Sequence, residues 1–276
     1  MRRTRLIQSI ALHVVITAGA LLFLMPIFWM VLSATKANNV ILAVPPTFTF
    51  GDALAANWAD LSRDLPFLRN VANSVGIAVI YTILATLVCA MGGYALAKFR
   101  FAGRAAIFTL ILVALTIPFE VRLIPQYILI ARDLGLANSW WAIILPGLAN
   151  ALGMFFMRQN MLSVPSELLE AARIDGASEW RIFYAVVLPI MQPALAAVGI
   201  LLLLFQWNDF LWPLLVLTAR DAYTIPVALG TLVGLTRVSW GGIMVGTAIA
   251  TVPFLVMFLF LQRYFVAGIT AGAVKD

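Results

Sequence analysis

Six apolar stretches, roughly residues 7–32, 71–97, 105–131, 140–159, 190–218 and 242–262, leave this chain few ways to fold. Each reaches the length of about 20 residues that an α-helix needs to cross the hydrocarbon core of a bilayer. In lipid every backbone N–H and C=O must be satisfied within the chain, so such runs read as spanning helices. Charged residues make up 11% of the 276 residues and hydrophobic ones 63%, against roughly a quarter charged in soluble domains. A soluble fold of this size would lack the charge to cover its surface. No linker, low-complexity stretch or internal repeat interrupts the pattern. The expectation is an all-α polytopic membrane protein, one domain over 1–276, with six transmembrane helices.

The net charge of +6 does not point to nucleic acid, because the basic residues flank apolar runs and form no separate basic region. A single cysteine, Cys89, and a single histidine, His13, exclude a disulfide framework and offer no metal site. The basic start Met1–Arg5 followed by an apolar run resembles a signal peptide in order, but the run to Leu32 is too long for one and reads as a retained first helix.

Charge in the short flanks sets orientation. With both termini in the cytoplasm, the inner side holds Arg2, Arg3, Arg5, Lys98, Arg100, Arg104, Arg158, Arg173, Arg181, Arg263 and Lys275. The outer side holds Lys36, Arg63, Arg69, Arg122, Arg132, Arg220 and Arg237. The inner excess favours cytoplasmic termini and places 161–189 in the cytoplasm. The loop of about 33–70 is then external, with a short amphipathic helix through Trp58, Leu61, Leu65 and Phe67 expected on the outer surface, either as a partner surface or as an aromatic anchor.

Between the fourth and fifth apolar runs lies a charged amphipathic island, MLSVPSELLEAARIDGASEWRIFYAVVLP, residues 161–189. Ser166 follows Pro165 and is expected to cap a helix over 167–175, with Glu167 in its first turn. Glu170 and Arg173 are three apart and can pair on its surface. Ala171 and Ala172 permit close approach of another chain, and Gly176 suits the left-handed conformation that ends a helix. Ser178 can cap a second helix through Trp180, Phe183 and Tyr184 towards Val187. The expected product is a helix–turn–helix with an apolar edge and a charged rim, a shape suited to docking in a groove.

Within the island, Glu170-Ala171-Ala172, then Gly176 after three residues, then Val186-Val187-Leu188-Pro189 after nine, resembles the EAA loop of membrane subunits of bacterial ATP-binding cassette importers. The family pattern ends I-x-L-P, so Val186 in place of Ile is the one departure, and it keeps a β-branched side chain. Asn73-Ser74 and the stretch Tyr94–Phe99 resemble the same family, and the tail Gly268–Asp276 is similar to that of carbohydrate permeases of the maltose-transporter type, although many relatives end in Gly where Asp276 stands. Ile117–Pro125 is similar to permeases for sugars and for glycerol-phosphate compounds.

The resemblance implies a cytoplasmic coupling loop between spans four and five, with Glu170, Ala171, Ala172, Arg173, Asp175, Gly176 and Ala177 against an ATPase, and Gly272 and Lys275 of the tail as a second contact. It implies a different second permease chain, two ATPase subunits and an extracytoplasmic solute-binding protein as partners. No G-x-x-x-x-G-K-[S/T] loop occurs, so ATP and Mg²⁺ would belong to the partner ATPase, and this chain would be no enzyme and carry no cofactor.

Polar groups inside spans are functional candidates, since isolating a charge in lipid costs roughly 2.5–3.5 kcal/mol on insertion scales. Glu120 and Arg122 interrupt the third run, and Gln206-Trp207-Asn208-Asp209 the fifth, before Trp212-Pro213. Amides, carboxylates and flat rings are what a polyhydroxylated solute needs, so Glu120, Gln206, Trp207, Asn208 and Asp209 are candidates for the translocation path of a sugar-like solute. The plainer reading makes them interfacial and packing groups. An ion-coupled transporter, an importer of a glycerol-phosphate-type solute and an intramembrane enzyme are the alternatives; the third lacks any recognisable nucleophile–base arrangement.

Overall fold

A computed structural model describes the backbone of residues 2–233 and 238–273, with side chains described for 8–233, 238–257 and 259. Among these residues no strand occurs. The helices are α1 (Arg2–Ala34), α2 (Leu54–Asp64), α3 (Phe67–Lys98), α4 (Arg104–Thr116), α5 (Phe119–Tyr127), α6 (Trp140–Gly147), α7 (Ala151–Met161), α8 (Ser166–Ile174), α9 (Glu179–Ile182), α10 (Gln192–Asn208), α11 (Leu211–Val216), α12 (Ile225–Val233) and α13 (Trp240–Ala273). Single π-helical runs at Ile128–Asp133 and Phe183–Val187 extend α5 and α9.

Three helical segments are by themselves long and apolar enough to cross a membrane: Gln8–Ala34 in α1, Phe67–Lys98 and Trp240–Met257 in α13. Three further crossings require a bent pair each: Arg104–Thr116 with Phe119–Asp133 at 100°, Trp140–Gly147 with Ala151–Met161 at 44°, and Glu179–Ile190 with Gln192–Asn208 at 81°. The third apolar run is therefore not one straight helix. Ile117 takes an extended conformation before Pro118, which lacks an N–H and starts α5 in a new direction. The fourth run breaks at Leu148–Asn150, and the Asn150 amide oxygen restarts the helix by accepting the Gly153 N–H at 2.9 Å. In the fifth, Pro189 withholds an N–H and crowds the carbonyl one turn back, and the turn before it is the π-run Phe183–Val187. The 81° bend means that 179–190 cannot run along the same axis as α10.

The chain forms two compact units, Met1–Phe67 with Leu229–Pro253, and Leu68–Ala228 with Phe254–Asp276. In the first, α1 exposes Leu21, Leu22 and Phe23 along its apolar length. Its end is tied to the following loop: the Asn57 amide donates to the Ala34 and Lys36 carbonyls at 2.8 and 2.9 Å. Lys36 is buried, with its ammonium 5.0 Å from the Trp29 ring and bonded to Thr47. The expected amphipathic helix exists as α2, but Leu61, Leu65 and Phe67 are buried within the chain and are not offered to an outer surface. Their burial satisfies the apolar stripe that the sequence alone left without a partner.

In the second unit, α3 runs beside α6 and α7 through small residues that let the backbones close up, as packing between helices in lipid requires. Gly76 receives the Trp140 ring, Tyr81 lies on Gly147, Cys89 on Gly153, and Gly93 on Met157. The pairing keeps an almost constant offset along both helices, so they run parallel. The 98–140 connection therefore carries the chain back across. Tyr81 donates to the Gly147 carbonyl at 3.3 Å, and Cys89 to that of Asn150 at 3.5 Å.

A side chain at position 93 meets this contact directly: a Cβ there would lie 2.7 Å from Met157 Cβ and 2.8 Å from the Arg158 backbone nitrogen. Gly93→Leu is expected to destabilise by about 1–3 kcal/mol through overpacking, read as a lowered melting temperature of the detergent-solubilised protein. Gly19→Ala is the control, because nothing lies within 4 Å of a Cβ at that position; its melting temperature stays the same or rises.

Candidate functional site

Two places gather the sequence-derived candidates, a platform over 166–187 and a cavity among the bent helices. The platform is α8, its turn, and α9 with the π-run. α8 begins at Ser166 itself, after Pro165, so Ser166 is the first helical residue and its hydroxyl makes no cap, contrary to expectation. Pro165, with a fixed φ of −59°, sets the entry instead.

The exit follows the sequence. Gly176 has φ +79°. The Gly176 N–H donates to the Arg173 carbonyl and the Ala177 N–H to the Ala172 carbonyl, each at 3.0 Å. This pair of bonds is the Schellman termination, which satisfies carbonyls the helix leaves free. Ala172 and Ala177, the residues at its two ends, pack against the buried cluster of this unit. The E-A-A-x-x-x-G spacing thus has a local physical meaning: small residue, helix stop, small residue. Ser178 caps α9, its hydroxyl accepting the Arg181 N–H at 3.3 Å.

Arg173 does not pair with Glu170. Its Nε donates to Glu179 Oε1 at 2.6 Å and its Nη2 to Glu179 Oε2 at 3.3 Å, a fork that closes the turn. Glu179 also accepts from the Tyr94 hydroxyl of α3 at 3.4 Å. Arg173 and Glu179 are both about two-fifths exposed, so the pair fixes geometry and adds at most about 1 kcal/mol.

The inner face of the platform is Leu169, Ile182, Phe183 and Val187, buried with Met157, Met161 and Val164. The outer face exposes Leu168, Ile174, Trp180 and Tyr184, with Ile174 at 87% exposure. Glu170 and Asp175 stand on this rim without a hydrogen bond or ion pair among the described residues. Ala171 is exposed beside them.

The cavity, about 630 Å³, opens where the first two bent pairs break and where α10 gives way to α11. Ala114, Leu115 and Ile117 come from the end of α4; Phe119, Arg122 and Gln126 from α5; Pro146, Gly147 and Asn150 from the α6–α7 break. Phe205, Gln206, Asp209 and Trp212 come from the end of α10 and the start of α11, and Tyr81 from α3. Trp212 is held by its indole N–H on the Ala142 carbonyl at 2.9 Å and by edge contact with Phe119 at 6.5 Å. The Arg122 guanidinium lies 5.6 Å from the Phe119 ring.

Of the sequence candidates, Gln206 and Asp209 reach this lining; Glu120, Trp207 and Asn208 do not. Glu120 is exposed in the first turn of α5, where it favours the helix dipole. Asn208 donates back to the Leu204 carbonyl at 2.8 Å. Tyr81, Gln126 and Asn150 are lining groups that a search for charges in spans passes over; a search for amides and hydroxyls in apolar runs would have found them. Gly272 lies in α13 and Lys275 lies outside the described residues. Among the described residues no group of three or more His, Cys, Asp or Glu is placed to hold a metal ion.

Residues 83–271 match the family described as binding-protein-dependent transport system inner membrane component. The chain is 44% identical over 203 residues to the arabinooligosaccharides transport system permease protein AraQ of Halalkalibacterium halodurans, covering 74% of this chain and 72% of that protein. It is 36% identical to the lactose transport system permease protein LacG of Rhizobium radiobacter, covering 98% of each. It is 32% identical to the sn-glycerol-3-phosphate transport system permease protein UgpE of Escherichia coli, over 93% of this chain and 94% of that one. In fold it resembles a chain in the crystal structure of a bacterial ABC transporter involved in the import of the acidic polysaccharide alginate, with TM-score 0.78, 24% identity, and 94% and 96% of the two chains covered.

The platform turn yields a direct test. A Cβ at 176 meets nothing within 4 Å, so Gly176→Ala changes only the cost of positive φ, about 1 kcal/mol. Hydrogen exchange at the Ala177 amide is expected to speed up roughly fivefold, while Gly176→Asn, which tolerates this conformation better, gives a smaller rise.

Proposed function

The chain belongs to the family of binding-protein-dependent transport system inner membrane components, and from that premise we propose that it is the permease subunit of an ATP-driven importer of a sugar or related polyol. The observation that carries the coupling half of this reading is the platform: a twice-folded helical turn whose rim exposes Ile174, Trp180 and Tyr184 beside Glu170 and Asp175, which make no hydrogen bond or salt bridge among the described residues. Such a rim fits a groove on a partner that carries basic and apolar groups.

The partner is an ATPase pair, because ATP and Mg²⁺ need a phosphate-binding loop this chain lacks. Closure of that pair around ATP would carry the seated platform with it, and the spans attached to the platform would tilt and alternate access to the cavity. A different second permease chain completes the path, and an extracytoplasmic solute-binding protein delivers the solute. Both termini lie in the cytoplasm and the protein in the inner membrane. The tail through Gly272 and Lys275 is a second ATPase contact.

The solute class rests on the relatives' names and on chemistry. The cavity combines flat rings at Tyr81, Phe119 and Trp212 with hydrogen-bonding groups at Gln126, Asn150, Gln206 and Asp209. Rings cover the apolar face of a sugar, and amides and carboxylates bind its hydroxyls. Its volume falls within the range of about 300–1,000 Å³ usual for small-molecule sites. A glycerol-phosphate solute is the second reading, favoured by Arg122 at the lining and by the relatives that carry that name.

The test is reconstitution in liposomes with ATPase, second permease and binding protein. Solute uptake should require ATP. Replacing Glu170 and Gly176 together is expected to lower uptake and solute-stimulated ATP hydrolysis roughly tenfold or more. Uptake that persists without any ATPase, driven by an ion gradient, would contradict the reading.

A further inference from the structure

We infer that Glu179 is a positioning residue that ties the platform to α3, and that α3 is the rod carrying platform movement to the cavity. The inference rests on the proposed ATP-driven coupling and adds the route by which it travels.

Three structural elements meet at one carboxylate. Arg173 approaches from α8 at 2.6 and 3.3 Å, Tyr94 from α3 at 3.4 Å, and Glu179 itself begins α9. The Tyr94 ring is 5% exposed and lies 5.4 Å from the Phe183 ring of the platform. The same end of α3 has two more ties. The Arg158 guanidinium donates to the Leu96 carbonyl at 3.4 Å, and the Lys98 ammonium to the carbonyl of Val164, just before the platform. One end of α3 is therefore fastened on Tyr94, Leu96 and Lys98.

Further along the same helix, Tyr81 lines the cavity. Thirteen residues separate Tyr81 from Tyr94, about 20 Å of helix. α3 is unbroken between them, whereas the α4–α5, α6–α7 and α9–α10 pairs are all bent. α3 therefore offers the platform an unbroken path of helix to the cavity, whereas the α9–α10 path turns through 81° on the way.

The test uses the reconstituted complex and reads solute transported per ATP hydrolysed. Glu179→Ala is expected to lower this ratio roughly tenfold while ATP hydrolysis changes little. Arg173→Ala lowers it similarly, and the double variant is no worse than either single, because the two act as one unit. Glu179→Gln, whose one amide oxygen still accepts from the Arg173 Nε and whose NH2 can donate to the Tyr94 hydroxyl oxygen, restores part of the ratio. An unchanged ratio in Glu179→Ala overturns the inference. A parallel fall in uptake and hydrolysis that Glu179→Gln does not restore also overturns it. Should Glu179→Ala fail to assemble, Tyr94→Phe, which removes one hydroxyl, takes its place: a fall of roughly threefold or more supports the tie, and no change overturns it. Absence of ATP-dependent uptake by the wild-type complex would count against the proposed function itself.

Discussion

Backbone hydrogen bonding in an apolar medium governs this structure. A span in lipid has no water to accept a free carbonyl, so irregular backbone survives there only where it is buried in protein or lines a cavity. The chain breaks its helices at Ile117–Pro118, at Leu148–Asn150 and at Asp209–Phe210, and these three breaks border the same cavity, while the 81° break at Met191 lies outside its lining. The breaks make the cavity, and the cavity makes them tolerable. Their polar side chains, Asn150 and Asp209 among them, occupy the place where the backbone is least regular.

The second dependency is the close contact of α3 with α6 and α7. Apolar burial gives little drive between helices surrounded by lipid tails, so association rests on packing. Glycines at 76, 93, 147 and 153 bring the helices together. That contact leaves α3 unbroken and in touch with both the cavity and the platform.

Much of this was legible in the sequence where local rules decide. The apolar run lengths gave the helical class; Gly176 at positive φ and Ser178 as a cap followed from residue type alone. The third run was expected as one span; Pro118 breaks it, and nothing local sets the 100° angle there. Ser166 lost its capping role to the geometry imposed by Pro165. Glu170 and Arg173 had the right spacing to pair, yet a carboxylate across the turn, Glu179, offered a two-point fork that the helix surface could not. The buried stripe of α2 and the lining groups Tyr81, Gln126 and Asn150 depend on contacts between distant segments. They leave no periodic signal.

Coupling to ATP requires that the platform rim meet an ATPase on the cytoplasmic side. Ile174 is the most exposed apolar residue of that rim, and the native chain's one cysteine, Cys89, is buried. Ile174→Cys, paired with a cysteine introduced in the ATPase groove, can be oxidised in inside-out vesicles with little background. The expected result is a crosslink between the two chains that blocks uptake and is reversed by reductant. A thiol introduced at position 174 that forms no crosslink, and is labelled by a membrane-impermeant reagent from the outer side, would contradict it.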